Sequence, residues 1–184
     1  GAYELDTGQY DQAEPILAAC AAAILIRRSA FEAIGSFDER FFMYHEDVDW
    51  CWRAWLHGFE VWYVPEAMAY HKVEGSTQRY LGVSAKERLG QRNRIRSLLK
   101  CYEGKTLRQF MRSLELWHWY GKPSLRNWLR LAWPVAWNAW FLPSTLAERR
   151  RIQRGRQRTD AELSHLILAS DVPVPPPRRN EQAV

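Results

Sequence analysis

The chain has 184 residues and a mass of 21.7 kDa; 47% hydrophobic and 26% charged, it has the makings of one sizeable core and is not a wholly disordered chain. Ordinary Gly (10) and Pro (9) contents exclude collagen-like and low-complexity classes. The net charge of +5 conceals 6 Lys/Arg against 13 Asp/Glu in residues 1–79 and 20 against 8 in residues 80–184: an acidic part suited to metal or acid–base work, then a basic part suited to lipid headgroups, polyphosphate or nucleic acid.

The amino terminus, Gly1-Ala2-Tyr3-Glu4-Leu5-Asp6, is acidic and carries no apolar signal core, so it reads as the interior of a longer protein. Residues 1–15 are polar and loop-like. Cys20 to Ile26 is a run of small and β-branched residues that predicts a buried strand, ended by Arg27-Arg28. Ser29-Ala30-Phe31-Glu32 has the form of a capping box and Gly35 of a stop, so a short helix is expected near 30–34. Glu46-Asp47-Val48-Asp49 opens a helix through His57, its first-turn acids complementing the helix dipole, with Gly58 at its end. Phe59 to Val64 predicts a strand stopped by Pro65, and Ala67 to Lys72 a second extended segment carrying His71.

Ser84-Ala85-Lys86-Glu87 begins a basic helix to about Tyr102, and residues 107–119 read as helical. From Leu125 the apolar positions Trp128, Leu129, Ala132, Trp133, Ala136, Trp137, Trp140 and Phe141 recur in steps of three and four, a helical stripe that Pro134 should kink. Thr145-x-x-Glu148 and Thr159-x-x-Glu162 are two further capping boxes, and the Pro-rich segment from Val172 is expected to be disordered. No stretch reaches the ~18 consecutive apolar residues of a membrane span. Cys20, Cys51 and Cys101 form no CxxC pair, which excludes a zinc ribbon and a dithiol motif and makes a reducing compartment the simplest reading.

The strongest constellation is Phe37-Asp38-Glu39-x-Phe41-Phe42-x-Tyr44-x-Glu46-Asp47-x-Asp49-x-x-x-Arg53. Asp49 and Arg53, four apart, can pair on one helix face. Asp47 lies about 200° around from Asp49, at ~100° per residue, and points to whatever the aromatic loop encloses. Desolvation there would raise its pKa and suit it to general-base work; on helix physics alone, a set of plain first-turn acids is the favoured reading.

The segment from Gly35 to His71 resembles the carboxyl-terminal half of the catalytic domain of family 2 glycosyltransferases, in particular rhamnosyltransferase-like members of bacterial cell-surface polysaccharide assembly. The pattern falls on Gly35, Phe37, Asp38, Glu39, Phe41, Phe42, Glu46, Asp47, Asp49, Arg53, Gly58, Pro65 and His71. The resemblance implies an α/β chain, a partial GT-A fold, followed by an α-helical basic extension. It implies that Asp47 is the general base of an inverting transfer from a nucleotide sugar to a saccharide or lipid-linked acceptor. Glu46 would help position acceptor or base, Asp49 and Arg53 would support them, and Phe42, Tyr44 and His45 would contact acceptor. His71, 24 positions after Asp47, matches a ligand for a divalent cation, Mn or Mg.

Two departures stand out. Ala21-Ala22 occupies a place usually Gly-Ala. The donor-binding half, with the Asp-x-Asp motif that completes the metal site, is missing from the chain, so a fragment is expected. The resulting division is an acceptor-binding half over 1–103, a Trp/Arg-rich membrane-associating extension over 104–170 and a tail over 171–184. Trp128, Trp133, Trp137 and Trp140, with the Arg149–Arg158 cluster, suggest docking on an anionic membrane surface, peripheral to the cytoplasmic face; an ordinary core-facing helix beside a solvated charge run is an equal reading. A non-catalytic membrane-surface or nucleic-acid-binding basic module is the alternative, the former weakened by the intact Glu46-Asp47 pair, the latter by the acidic first part and the lack of a recognised module.

Overall fold

The computed structural model describes residues 5–70, 83–112 and 124–166. Within them, two short strands, β1 (Glu14–Pro15) and β2 (Trp62–Tyr63), pair antiparallel, with Glu14 opposite Tyr63 and Pro15 opposite Trp62. Six helices follow the chain: α1 (Arg28–Ile34), α2 (Glu46–Leu56), α3 (Val83–Cys101), α4 (Gly104–Arg112), α5 (Leu125–Trp140) and α6 (Leu142–Gly155), with a 3-10 turn at Glu39–Phe41. No helix among the described residues is long and apolar enough to cross a membrane.

Helix α2 is the centre of the core. Every residue from Asp49 to Leu56 is buried. Around it pack Ala30 and Ile34 of α1, Leu98 and Cys101 of α3, Phe110 of α4, Ile152 of α6, and Leu163 and Leu166 beyond it. Residues 142–166 therefore share one core with residues 30–110. Gly58 ends α2 with φ of 84°, a left-handed turn glycine adopts without strain, and the chain reverses there so that Phe59 N–H returns to Ala54 O at 3.0 Å.

The structure departs from the sequence pattern at several places. The strand expected at Cys20–Ile26 does not form: residues 20–23 make a turn and 24–27 carry no regular structure, with Leu25 99% exposed. An extended run becomes a strand only beside a partner, and none lies next to it among the described residues. The Phe59–Val64 strand contracts to Trp62–Tyr63, with one further backbone bond from Ile16 N–H to Val61 O at 2.9 Å, and Ala67–Tyr70 carries no strand. Ser29 and Glu32 do not cap α1: the N-cap is Arg27, and Glu32 pairs instead with Arg28 at 2.8 Å. Thr145 lies inside α6, buried, its hydroxyl donating to Phe141 O and accepting from Arg96. The Thr159/Glu162 box does form, with Thr159 N–H donating to the carboxylate and Glu162 N–H to the Thr159 hydroxyl.

The helices are tied together by buried charge. Asp49, fully buried, accepts from Arg53 Nε at 2.9 Å, from Lys100 Nζ at 2.9 Å and from the Ser97 hydroxyl at 2.8 Å. Asp38 accepts from Arg96 Nε and Lys100 Nζ, both at 2.7 Å. Burial alone would raise both carboxyls. Lys100, with Arg53 at Asp49 and Arg96 at Asp38, outweighs burial, lowers the pKa of each and brings Asp38 to about 2. Arg53 also reaches Ile34 O and Ser36 O, so one guanidinium joins α2 to the end of α1.

Lys100→Met should cost roughly 3–5 kcal/mol in denaturant unfolding, since it leaves two carboxylates short of their shared cation; a loss under about 1 kcal/mol would show that the arginines suffice. Because Asp38 is depressed in the folded state, its contribution is complete above the ordinary carboxylate pKa. It should drain away as pH falls from about 4 towards 2, measurable as a falling unfolding midpoint.

Candidate functional site

The acidic motif sits where a tight loop meets α2. Asp38 accepts from Arg40 N–H at 3.2 Å and starts the 3-10 turn. Phe42, with φ of 61° and ψ of −56°, is the centre of a γ-turn closed by Met43 N–H on Phe41 O at 2.6 Å. Tyr44 (φ 67°) and His45 (φ 72°) are also in positive-φ conformations. Among the described residues these three are the non-glycine residues with positive φ, and each costs on the order of 1–3 kcal/mol. Strain of that size is concentrated in the four residues before Glu46.

Asp47 and Asp49 point apart, as the helix period requires. Asp49 enters the buried charge cluster. Asp47 is partly buried and faces the Ala21-Ala22 turn: its Oδ2 accepts Ala21 N–H at 3.1 Å and its Oδ1 accepts Val48 N–H at 2.8 Å. Glu46 is partly buried, and its Oε2 finds no partner among the described residues. Burial raises its carboxyl above the ordinary value, and the neighbouring Asp47 adds to the rise. The Tyr44 hydroxyl is likewise buried without a partner there, while Phe42 is 78% exposed. Burial takes His45 down to about 4; Arg94 pushes the same way, and Asp49 and Asp47 oppose it. The imidazole beside the motif is thus neutral at pH 7. Together the loop offers two carboxylates, a neutral imidazole and a phenol, a set able to accept and orient a hydroxyl proton.

His71 lies outside the described residues. Among the described residues no group of three His, Cys, Asp or Glu is placed to hold a metal ion. Those residues therefore do not by themselves form the expected cation site.

The four tryptophans of α5 divide. Trp140, Trp128 and Trp133 are 81%, 55% and 44% exposed, whereas Trp137 is half-buried, stacked under the Arg92 guanidinium at 4.3 Å and against Phe141 at 4.5 Å. Helix α5 turns Leu131, Pro134 and Asn138 inward. On its outer side Val135, Trp128, Ala139, Ala132, Leu125, Ala136, Leu129, Trp140 and Trp133 cover an arc of about 160°. An open groove of about 620 Å³ lies between α3 and α5, lined by Leu125, Leu129, Trp133 and Arg130 with Glu87, Arg88 and Gln91, away from the 38–47 loop. Much of the Arg149–Arg158 cluster is engaged inside the protein: Arg149 bonds Leu99 O and Tyr102 O, Arg151 bonds Ile34 O, Arg156 pairs with Asp160, and Arg158 bonds Gly58 O.

Sequence reasoning missed the residues that hold the loop. They lie on one stripe of α3: Arg92, Asn93, Arg96, Ser97 and Lys100. Asn93 Nδ2 is within bonding reach of Phe41 O (3.0 Å), Met43 O (2.9 Å) and Tyr44 O (2.7 Å). Arg92 Nη2 donates to Arg40 O (3.0 Å) and Phe41 O (2.8 Å). The available signal was the spacing 92/96/100 and 93/97, which marks one helix face, but its polarity reads as a solvated surface.

Over 58 residues the chain is 48% identical to N-acetylglucosaminyl-diphospho-decaprenol L-rhamnosyltransferase from two strains of Mycobacterium tuberculosis; the match covers 32% of this chain and 19% of the relative. Over 53 residues it is 43% identical to rhamnosyltransferase WbbL of Escherichia coli K12, covering 28% of this chain and 20% of the relative. The similarity thus spans about a fifth of the length of these relatives. No protein-family model matches the chain, and no solved structure gives a significant match.

His45 should titrate near 4 when followed by its ring C–H signals in NMR, far below the ordinary value for histidine. A midpoint near 6.5 would mean that the loop is open to water and the site is not built as described. The partial similarity to rhamnosyltransferases supports a glycosyltransferase relationship for this chain.

Proposed function

We propose that this chain is the acceptor-side half of a GT-A-type, family 2 inverting glycosyltransferase, transferring a sugar from a nucleotide donor to a saccharide or lipid-linked acceptor in cell-surface polysaccharide synthesis. The observation that carries the reading is the opposed placement of two carboxylates on one helical turn. Asp49 is locked inward by Lys100 and Arg53, leaving Asp47 to face outward at the Ala21-Ala22 turn beside Glu46. The rhamnosyltransferase relatives support a deoxyhexosyl donor and a sugar-diphosphate-polyprenol acceptor.

Asp47 takes the proton of the acceptor hydroxyl as that oxygen bonds to the anomeric carbon. The bond from that carbon to the diphosphate breaks, and the nucleoside diphosphate leaves with the electron pair. Attack from the face opposite the leaving group inverts the centre. Glu46, with its raised carboxyl and open Oε2, orients the acceptor, and Phe42, Tyr44 and His45 line its approach. A divalent cation belongs to this reading only through His71 and groups beyond the described residues.

The outer face of α5 is the membrane contact. A helix with leucine, alanine and tryptophan over ~160° of its surface suits the boundary between headgroups and acyl chains. It would hold the enzyme peripherally at the cytoplasmic leaflet, where a lipid-linked acceptor is presented. A nucleic-acid module fits less well, because much of the arginine cluster is committed to carbonyls and to Asp160.

Asp47→Asn in the full-length protein should lower the transfer rate by about 10²–10⁴-fold while the thermal unfolding midpoint holds, read in a donor-hydrolysis-corrected transfer assay. Near-normal turnover would remove the base role. For the membrane contact, Trp128→Ala with Trp140→Ala should weaken sedimentation with anionic liposomes at least tenfold. Trp137→Ala should act mainly on stability, since that ring packs on Arg92 and Phe141. Liposome binding indifferent to the outward pair would count against the membrane role.

A further inference from the structure

Loop 40–45 is held from α3 by the fully buried amide of Asn93 and, at its start, by the Arg92 guanidinium. Asn93 presents its Nδ2 to the carbonyls of Phe41, Met43 and Tyr44, and its Oδ1 accepts Arg92 Nε at 2.9 Å. That last bond decides which end of the amide faces the loop, because a guanidinium can only donate. Arg92 adds bonds to Arg40 O and Phe41 O. Its own place is fixed by stacking over Trp137 at 4.3 Å and by Asn138 Nδ2 on its carbonyl at 2.9 Å. The bonds of the Asn93 amide nitrogen all go to carbonyls in 41–44. The segment they hold contains Phe42, Tyr44 and His45, the three strained non-glycine residues, and it ends at Glu46.

We propose that Asn93 is a positioning residue for the Glu46–Asp47 pair: it traps loop 40–45 in its high-energy turn, and the turn sets the direction in which the first residues of α2 enter the site. The inference rests on the transferase reading for its functional clause, and on geometry alone for the clamp. The two protons of the Asn93 amide are shared among three carbonyls of the strained segment, and turning Phe42 and Tyr44 to ordinary backbone angles would swing those carbonyls away from it. Loss of the amide therefore frees Phe42 and Tyr44 to return to ordinary backbone angles. The carboxylates then shift relative to the acceptor, and displacements of this kind, of the order of an ångström, are enough to slow a bound reaction about 100-fold. Asp at position 93 is the harsher change, since it sets an anionic oxygen against three carbonyl oxygens.

Two measurements test the proposal. In the wild-type chain, the Asn93 side-chain amide protons should exchange with solvent far more slowly than those of exposed asparagines; exchange at the exposed rate would overturn the clamp without any variant. In Asn93→Ala, and in Asn93→Ser should the alanine variant fold poorly, backbone amides of 41–47 should exchange at least tenfold faster while those of 50–56 are unchanged. In the full-length enzyme, kcat should fall about 100-fold with the donor KM within about threefold. A variant that loses only folded fraction, with kcat per folded molecule unchanged, would make Asn93 a stability residue and sink the proposal. Wild-type protein without transfer activity would instead defeat the transferase reading, and the exchange experiments would still decide whether the amide holds the loop.

Discussion

A carboxylate with no exposed surface, Asp49, lies among Lys100, Arg53 and Ser97, and the arrangement of the described elements follows from how it is satisfied. Moving such an ion out of water costs several kcal/mol, so it survives in the core only with well-placed partners. Those partners come from α2 itself and from α3. Asp38 draws on Lys100 as well and adds Arg96. The helix carrying the acidic motif and the basic helix 50 residues later are therefore locked in one register. Arg53 extends the lock to the end of α1, and Thr145 on Arg96 extends it to α6.

This lock has a consequence for chemistry. Three acids open α2, and a helix places neighbours around a cylinder, so they cannot all serve one purpose. Asp49 is spent on structure. Asp47 faces the 21–22 turn, and Glu46 beside it keeps a buried carboxylate oxygen without a partner among the described residues. The strained backbone of Phe42, Tyr44 and His45 is affordable because α3 supplies donors to its carbonyls. Strain, clamp and outward carboxylates form one unit, drawn from segments about 50 residues apart.

The charge asymmetry of the chain is partly settled inside it. Arginines of α3, of α6 and of the segment after α6 meet Asp38, Asp160 and the open carbonyls at the ends of α1, α2 and α3. Cations at helix C-termini satisfy carbonyls that have no intrahelical partner and complement the dipole. The outward arc of α5 from Val135 to Trp133 is apolar, Arg130 beside it is exposed near Glu87, and the inner side carries Asn138, Leu131 and Pro134. The helix is amphipathic in the opposite sense to a core helix, with its bulkier aromatic face turned out.

Local order was legible in the sequence. The period-3.6 stripe from Leu125 marked α5, the acidic first turn and Gly58 bounded α2, and the four-residue spacing of Asp49 and Arg53 paired them, because each depends only on residues within a turn or two. The glycosyltransferase resemblance, carried by Glu46, Asp47 and their neighbours, agreed with the rhamnosyltransferase relatives. Tertiary structure decided the rest. Whether Cys20–Ile26 becomes a strand depends on a partner the run cannot specify, and Thr145, inside α6, bonds Arg96 from α3 instead of capping a helix. Which side of α5 is buried, and whether Arg92, Asn93 and Lys100 face water or hold the loop, turn on what packs against them; a sequence period identifies a face, and only the fold chooses its neighbour.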